Sequence, residues 1–165
     1  MARMRMLKHL CATRAGTRRR FTNEVLDAIE SAVAVAERKT SGEIRFAIDT
    51  TLSIPELWAG KHPRDCAHEA FARLRVWDSE LNNGVLIYVL MADRDVEIVA
   101  DRGAAARISP IEWEAACRLM ESHFREGRYK EGALAGVEAV GGLLEREFPC
   151  GAGNRDELPN QPALL

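Results

Sequence analysis

Seven consecutive apolar residues, Val85-Leu86-Ile87-Tyr88-Val89-Leu90-Met91, limit what this chain can fold into more than any other feature. The run is far shorter than the ~18–20 apolar residues a membrane span needs. Lacking any polar alternation, it predicts a strand covered on both faces, at the centre of a sheet with helices on either side. Asn82-Asn83-Gly84 ahead of it is a turn signal. Asp93-Arg94-Asp95 behind it is a short polar turn, and Val96 to Ala100 then alternates, so a second strand should return antiparallel to the first.

The remaining periodicities dress this centre. Thr22 is an N-cap for a helix over Asn23 to Lys39, with Val25, Leu26, Ile29, Val33 and Ala36 as one apolar stripe. Gly42 to Asp49 alternates Ile44, Phe46 and Ile48 against Arg45 and Asp49, a half-buried strand. Pro63 starts a helix through Trp77, buried along Ala67, Ala70, Phe71 and Leu74. Ser109-Pro110 with Glu112 forms a capping box for a helix buried along Ile111, Trp113, Ala116, Cys117 and Met120. A last helix, Tyr129 to Glu147, stops at Pro149. The first two strands, joined through a helix, should be parallel. The predicted class is α/β: a small mixed parallel/antiparallel sheet sandwiched between helices, in the order α-β-α-β-β-α-α. Residues 1–20 form a basic N-terminal arm, 21–149 the α/β domain, and 150–165 an irregular C-terminal tail.

At 165 residues and 47% hydrophobic, the chain suits one core. A net charge of −2 gives no global pull toward nucleic acid, and no basic-aromatic alternation or dinucleotide fingerprint supplies a local one. Trp58, Trp77 and Trp113 are expected in the core or at its edge. The arm contains Arg3, Arg5, Lys8, Arg14, Arg18, Arg19 and Arg20 and no acid, ahead of an acidic body. Two readings stand: a contact segment, through Arg3, Arg5, Lys8, Arg18, Arg19 and Arg20, for an anionic membrane surface or a protein partner, and a solvated, frayed terminus. Met4, Leu7, Leu10 and Cys11 fall at helical spacing, too short a segment to be helical alone. With no secretory h-region or membrane span in view, the expectation is a cytoplasmic protein, peripheral to the inner membrane if it meets one. The four scattered cysteines predict free thiols, Cys66 and Cys117 being buried in helices.

Candidate chemistry concentrates at one sheet edge. In an antiparallel hairpin, Asp101 ends beside Asn82 and Asn83, with Asp78 and Glu80 near, all oxygen donors suited to Ca or Mg. The competing reading makes Asn83-Gly84 turn chemistry and has Asp101 pair with Arg102 or cap the following helix. Arg102 and Gly103 ahead of a helix form a candidate anion site, against a surface salt bridge for Arg102. His62, Asp65, Cys66 and His68 fall short of a convergent zinc set.

Asn83-Gly84-Val85-Leu86, the strand ending in Asp101-Arg102-Gly103, and Phe124-Arg125-Glu126-Gly127-Arg128-Tyr129-Lys130-Glu131-Gly132 occur in the order and spacing of the TPM domain family. That family is named for a thylakoid lumen protein, a photosystem repair factor and an acetylcholine-receptor modulator. The chain resembles a bacterial branch without a transmembrane tail, over residues 24 to 148. The resemblance implies an α/β sandwich, and either a role with membrane complexes or calcium binding with weak acid phosphatase activity. Many members carry Gly-x-Gly-Leu-Glu where this chain has Asp101-Arg102-Gly103-Ala104-Ala105, so the acid position holds Ala105. The leading expectation is a non-enzymatic accessory or interaction domain. The alternative is a Ca- or Mg-binding domain with weak phosphatase activity.

Overall fold

The computed structural model describes residues 2–151 and 158–165, with side chains from residue 4 onward. Its elements are α1 (Ala2–Cys11), α2 (Arg14–Arg20), α3 (Asn23–Glu37), β1 (Glu43–Asp49), α4 (Ile54–Trp58), α5 (Pro63–Arg73), β2 (Gly84–Leu90), β3 (Asp95–Ala100), α6 (Arg102–Arg107), α7 (Pro110–Arg125), α8 (Tyr129–Glu147) and β4 (Ala163–Leu164). The sheet runs β3-β2-β1-β4. β1 and β2 are parallel, and β2 and β3 antiparallel with Ile87 opposite Ile98. All seven residues of β2 are buried, as the apolar run requires.

Side chains separate by parity across the sheet. Ile44, Phe46, Ile48, Val85, Ile87, Val89, Val96 and Ile98 face α3, α7 and α8. Ala47, Leu86, Tyr88, Leu90 and Val99 face α5, which meets them with Cys66, Ala67 and Ala70, and the returning tail adds Leu158. The turn from α3 into β1 is fastened to the end of α8. Thr40, fully buried, donates its hydroxyl to the Phe148 carbonyl and accepts from the Gly42 N–H at 2.9 Å. The Glu37 carboxylate accepts the Ile44 N–H at 2.8 Å.

Three regions differ from the sequence reading. Within the basic arm, Ala2–Cys11 and Arg14–Arg20 form two helices seated on the body. Thr13 caps α2 through the Gly16 N–H, and Phe21 closes it by packing edge-on against Phe124 and Tyr129. The tail contributes β4, which pairs with β1 at Ala47–Ala163 and Ile48–Leu164. A two-residue strand has no periodicity to read; what places it is the unfilled edge of β1. The helix α5 stops at Arg73 because Arg75 takes a left-handed φ of 56°. That turn leaves Trp77 49% exposed, and Trp58 at the end of α4 is 75% exposed, so of the three tryptophans only Trp113 is buried.

Thr40→Val should cost about 2 kcal/mol, because it removes two bonds and leaves the buried Gly42 N–H without its acceptor. A lower urea midpoint at unchanged m-value checks this.

Candidate functional site

The hairpin brings the sequence-predicted edge together. The Asp101 N–H donates to the Gly84 carbonyl at 2.8 Å, and the Gly103 N–H to the Asn82 carbonyl at 2.8 Å. Asp101 caps α6 by accepting the Arg102 N–H at 2.8 Å, while Arg102 Nε donates to Asn82 Oδ1 at 3.1 Å. Asn83, 1% exposed, turns its amide NH2 away to the Ser41 carbonyl at 2.8 Å. Asp78 sits with Arg75 at 3.4 Å. Two close approaches hold the edge shut. A Cβ on Gly84 would overlap the Val76 carbonyl oxygen, and one on Gly103 would lie 2.5 Å from the Asn82 carbonyl.

This arrangement is a backbone clasp. Calcium takes six to eight oxygens, whereas here Asn82 Oδ1 is held by a guanidinium and Asn83 offers a donor. At this edge Asp101 Oδ2 is buried without a partner among the described residues. The donor set as arranged does not fit Ca or Mg, and among the described residues no group of three or more His, Cys, Asp or Glu is placed to hold a metal. Arg102 Nε and the Gly103 N–H are turned to Asn82 and the Arg102 N–H to Asp101, so these donors are already engaged within the edge.

A second polar site lies at the carboxyl ends of β1 and β2, where open α/β sheets place ligands. It is a cavity of about 180 Å³ lined by Asp49, Glu56, Lys61, Cys66, Glu69 and Tyr88, among others. Lys61 bridges Glu56 and Glu69 at 2.7 Å each, and Tyr88 donates to Asp49 at 3.0 Å. Hydrogen bonds from Lys61 and Ser53 pull the Glu56 carboxyl down to about 2. Burial pushes the Cys66 thiol up to about 11, so it stays protonated and a poor nucleophile. Lys61 is already shared by two of the three carboxylates, so among the described residues the cavity holds no unpaired cation of its own at that point.

The basic segment is where exposure and chemistry diverge from the ordinary. In α1 the polar face grips the body. Arg5 meets Asp93 at 3.0 Å and the Lys61 carbonyl at 3.0 Å. His9, 3% exposed, accepts the Leu52 N–H at 3.0 Å and lies 3.2 Å from Asp93. The opposite face is apolar and turned outward, with Met4 71%, Leu7 61% and Leu10 59% exposed. Lys8, Arg14, Arg18, Arg19 and Arg20 are all exposed, and Arg20 also lies over the Tyr129 ring. The side chain of Arg3 lies outside the described residues.

One acidic centre escaped the sequence reading. Burial and the nearby charges of Glu97, Glu121 and Asp93 push the Asp95 carboxyl up to about 6, and Arg5 only partly opposes them. These acids come from β3, α7 and the hairpin turn, so nothing in a linear reading groups them.

A family model for the TPM domain matches residues 18–143. The BA42 protein of the psychrophilic bacterium Bizionia argentinensis has a solved structure 33% identical to this chain. The match covers 87% of this chain and 94% of that one, with a TM-score of 0.77. The N-terminal domain of a protein from P. gingivalis shares the fold at 23% identity. There the TM-score is 0.56, over 77% of this chain and 78% of that one. The N-terminal domain of the cg2496 protein from Corynebacterium glutamicum matches at 15% identity and TM-score 0.54, covering 74% and 73% of the two chains. No protein with a curated description matches the chain.

Gly84→Ala and Gly103→Ala should each destabilise the fold by about 1–3 kcal/mol through backbone overlap, whereas Asp101→Ala should cost about 1 kcal/mol as a lost cap. Urea denaturation of the three variants gives the ranking. Asp95 supplies a pH signature. Its folded pKa of about 6 lies above the unfolded value of about 3.9. The folded state therefore holds the extra proton, and Asp95 subtracts stability as pH rises from about 4 to about 6. Asp95→Asn should leave stability little changed at pH 4 and raise Tm at pH 7, read from thermal melts of both proteins across that range.

Proposed function

Because this chain belongs to the TPM domain family, which fixes a fold and leaves the reaction open, we propose that it is a non-enzymatic interaction domain docking on an anionic membrane surface through α1 and α2. The observation that carries this reading is the reversed amphipathicity of α1. A helix seated on a globular body normally turns its apolar stripe inward. Here Arg5 and His9 face inward, while Met4, Leu7 and Leu10 face solvent beside a helix ending in Arg18-Arg19-Arg20.

Apolar residues at helical spacing flanked by bases suit the boundary between headgroups and acyl chains. Full burial of each large apolar side chain stabilises by about 1.5–3 kcal/mol, and each base near an anionic surface by about 1 kcal/mol. Half-insertion of three such side chains with four bases gives on the order of 6–8 kcal/mol, an association between millimolar and micromolar. The acidic excess lies outside residues 1–20. Repulsion from the same lipids would turn that body away and leave the two helices facing the surface.

A second reading, Ca or Mg binding with weak phosphatase activity, has one observation in its favour: Asp101 Oδ2 is buried without a partner. It requires Arg102 to release Asn82, and the positions as they stand support no reaction step.

Co-sedimentation with vesicles tests the first reading. The chain should pellet with phosphatidylcholine vesicles containing phosphatidylserine and stay in solution with phosphatidylcholine alone. Binding should weaken with salt and be lost in Leu7→Asp, which alters an exposed residue and leaves the fold intact. Equal behaviour with both vesicle types, or an unaffected Leu7→Asp protein, would defeat it.

A further inference from the structure

The two edges of the sheet are treated differently. At β1 the chain closes its own edge: residues 163–164 pair with the strand, Leu165 donates to the Ile48 carbonyl at 2.9 Å, and Arg45 reaches the carbonyls of Pro159 and Gln161. At β3 no further strand pairs among the described residues. Asp101 donates to Gly84, and register alternation then turns the backbone groups of Val96, Ile98 and Ala100 outward.

Side chains stand in for the absent strand. The Glu121 carboxylate accepts the Val96 N–H at a long 3.5 Å, as a carbonyl would. Arg64 donates to the Ile98 carbonyl, as an N–H would, and to Glu97 at 3.1 Å. The Val96 bond is long and Arg64 is 49% exposed, so an incoming backbone can compete for both places. Beside this edge, between α5 and α7, runs a cavity of about 520 Å³.

Two polar groups in the cavity wall lack partners, and they ask for different things. At one end Asp95 Oδ1 is buried and unbonded, and the charged groups around it are chiefly acids. Of its acidic neighbours, Glu97 is already matched by Arg64, Glu121 by Arg125 and Asp93 by Arg5. Further along α7 the Trp113 indole N–H, on a side chain only 8% exposed, has no acceptor. The first needs a cation or donor, the second an acceptor. Ile108 and Pro110 add an apolar wall near Trp113. A bare metal ion satisfies neither the length nor the donor count, since among the described residues no metal-holding group converges.

We propose that the free edge of β3 receives an extended segment of a partner protein, which pairs with the strand and places a Lys or Arg side chain on Asp95. Backbone pairing supplies affinity and the side-chain pockets supply choice, as in β-augmentation generally. The six residues of β3 span about 20 Å at ~3.3 Å each, so the segment is five or six residues long. Its basic residue lies at the Asp95 end and an apolar residue at the Trp113 end. The site is separate from α1 and α2 and stands whether or not these bind lipid.

A phage-displayed library of random linear heptapeptides, selected on the full chain, tests this. Enriched sequences should share one Lys or Arg near β-branched or apolar residues. A synthetic peptide of the enriched sequence should shift the NMR signals of the Val96, Ile98 and Ala100 amides and of the Trp113 indole. Asp95→Asn, which relieves repulsion and keeps the fold, should weaken its binding roughly tenfold or more. Enrichment without a shared base, shifts elsewhere on the molecule, or undiminished binding by Asp95→Asn would each overturn the proposal. So would concentration-dependent self-association through the same amides without peptide, since the occupant would then be a second copy of the chain.

Discussion

Burial of β2 on both faces is the constraint from which the architecture follows. Seven buried residues in a row need a layer on each side, and the two layers are unequal. α3, α7 and α8 bring large apolar residues such as Ile29, Met120 and Phe124 to one face. α5 meets the other largely through Cys66, Ala67 and Ala70, small enough to seat a short helix against Tyr88 and Leu86. The space this leaves is filled by Leu158 from the far end of the chain, whose N–H is held by Glu43 at 3.2 Å. A parallel neighbour for β2 further demands a long crossover, and residues 50–83 supply it as α4 and α5. The return from α5 is so tight that the Val76 carbonyl touches the start of β2, which only Gly84 permits.

The segments that mark the family are explained by the same packing. Asn83-Gly84 and Asp101-Arg102-Gly103 interlock because backbone approaches backbone at the mouth of the hairpin. The run from Phe124 to Gly132 turns α7 into α8 and stacks Phe124 on Tyr129 at 5.3 Å, with Phe21 edge-on to both. A fingerprint whose residues serve packing identifies a fold without naming a reaction. Function then has to be argued from what the fold leaves exposed or unsatisfied.

The sequence predicted best where one periodicity ran long between clear caps. The helix Tyr129–Glu147 and the hairpin fall where expected, as do the parallel pairing of β1 with β2 and the mixed sheet between helical layers. It predicted least where contacts are distant or inverted. The apolar spacing of Met4, Leu7 and Leu10 was legible, but a helical stripe is ordinarily taken as the docking side, and here Arg5 and His9 do the docking with Asp93 and Thr51. The proximity of Asp101 to Asn82 followed from hairpin topology. The use of Asn83 as a donor to Ser41 did not, because it depends on a loop some forty residues away. Asp95 is the extreme case: its raised pKa arises from burial first, and then from Glu97 across one residue of strand and Glu121 on a helix.

Asp93 joins the two exposed surfaces that the fold leaves for recognition. Its carboxylate holds Arg5 and sits against His9, and so fixes the seat of α1. The same carboxylate raises the Asp95 pKa, which Arg5 lowers. The field at the start of β3 therefore depends on where α1 lies. With Arg5 in place, Asp93 is neutralised and Asp95 keeps part of its charge for a cationic partner. If α1 shifted and took Arg5 with it, an uncompensated Asp93 would face Asp95, and a positive side chain would be drawn in more strongly while the empty groove became costlier to hold ionised. Linkage makes this reciprocal: a base bound at Asp95 weakens the hold of Asp93 on Arg5 as much as loosening α1 strengthens the base's binding. A lipid surface that merely used the outward face of α1, leaving Arg5 seated, would not change the groove; only one that moved the helix would.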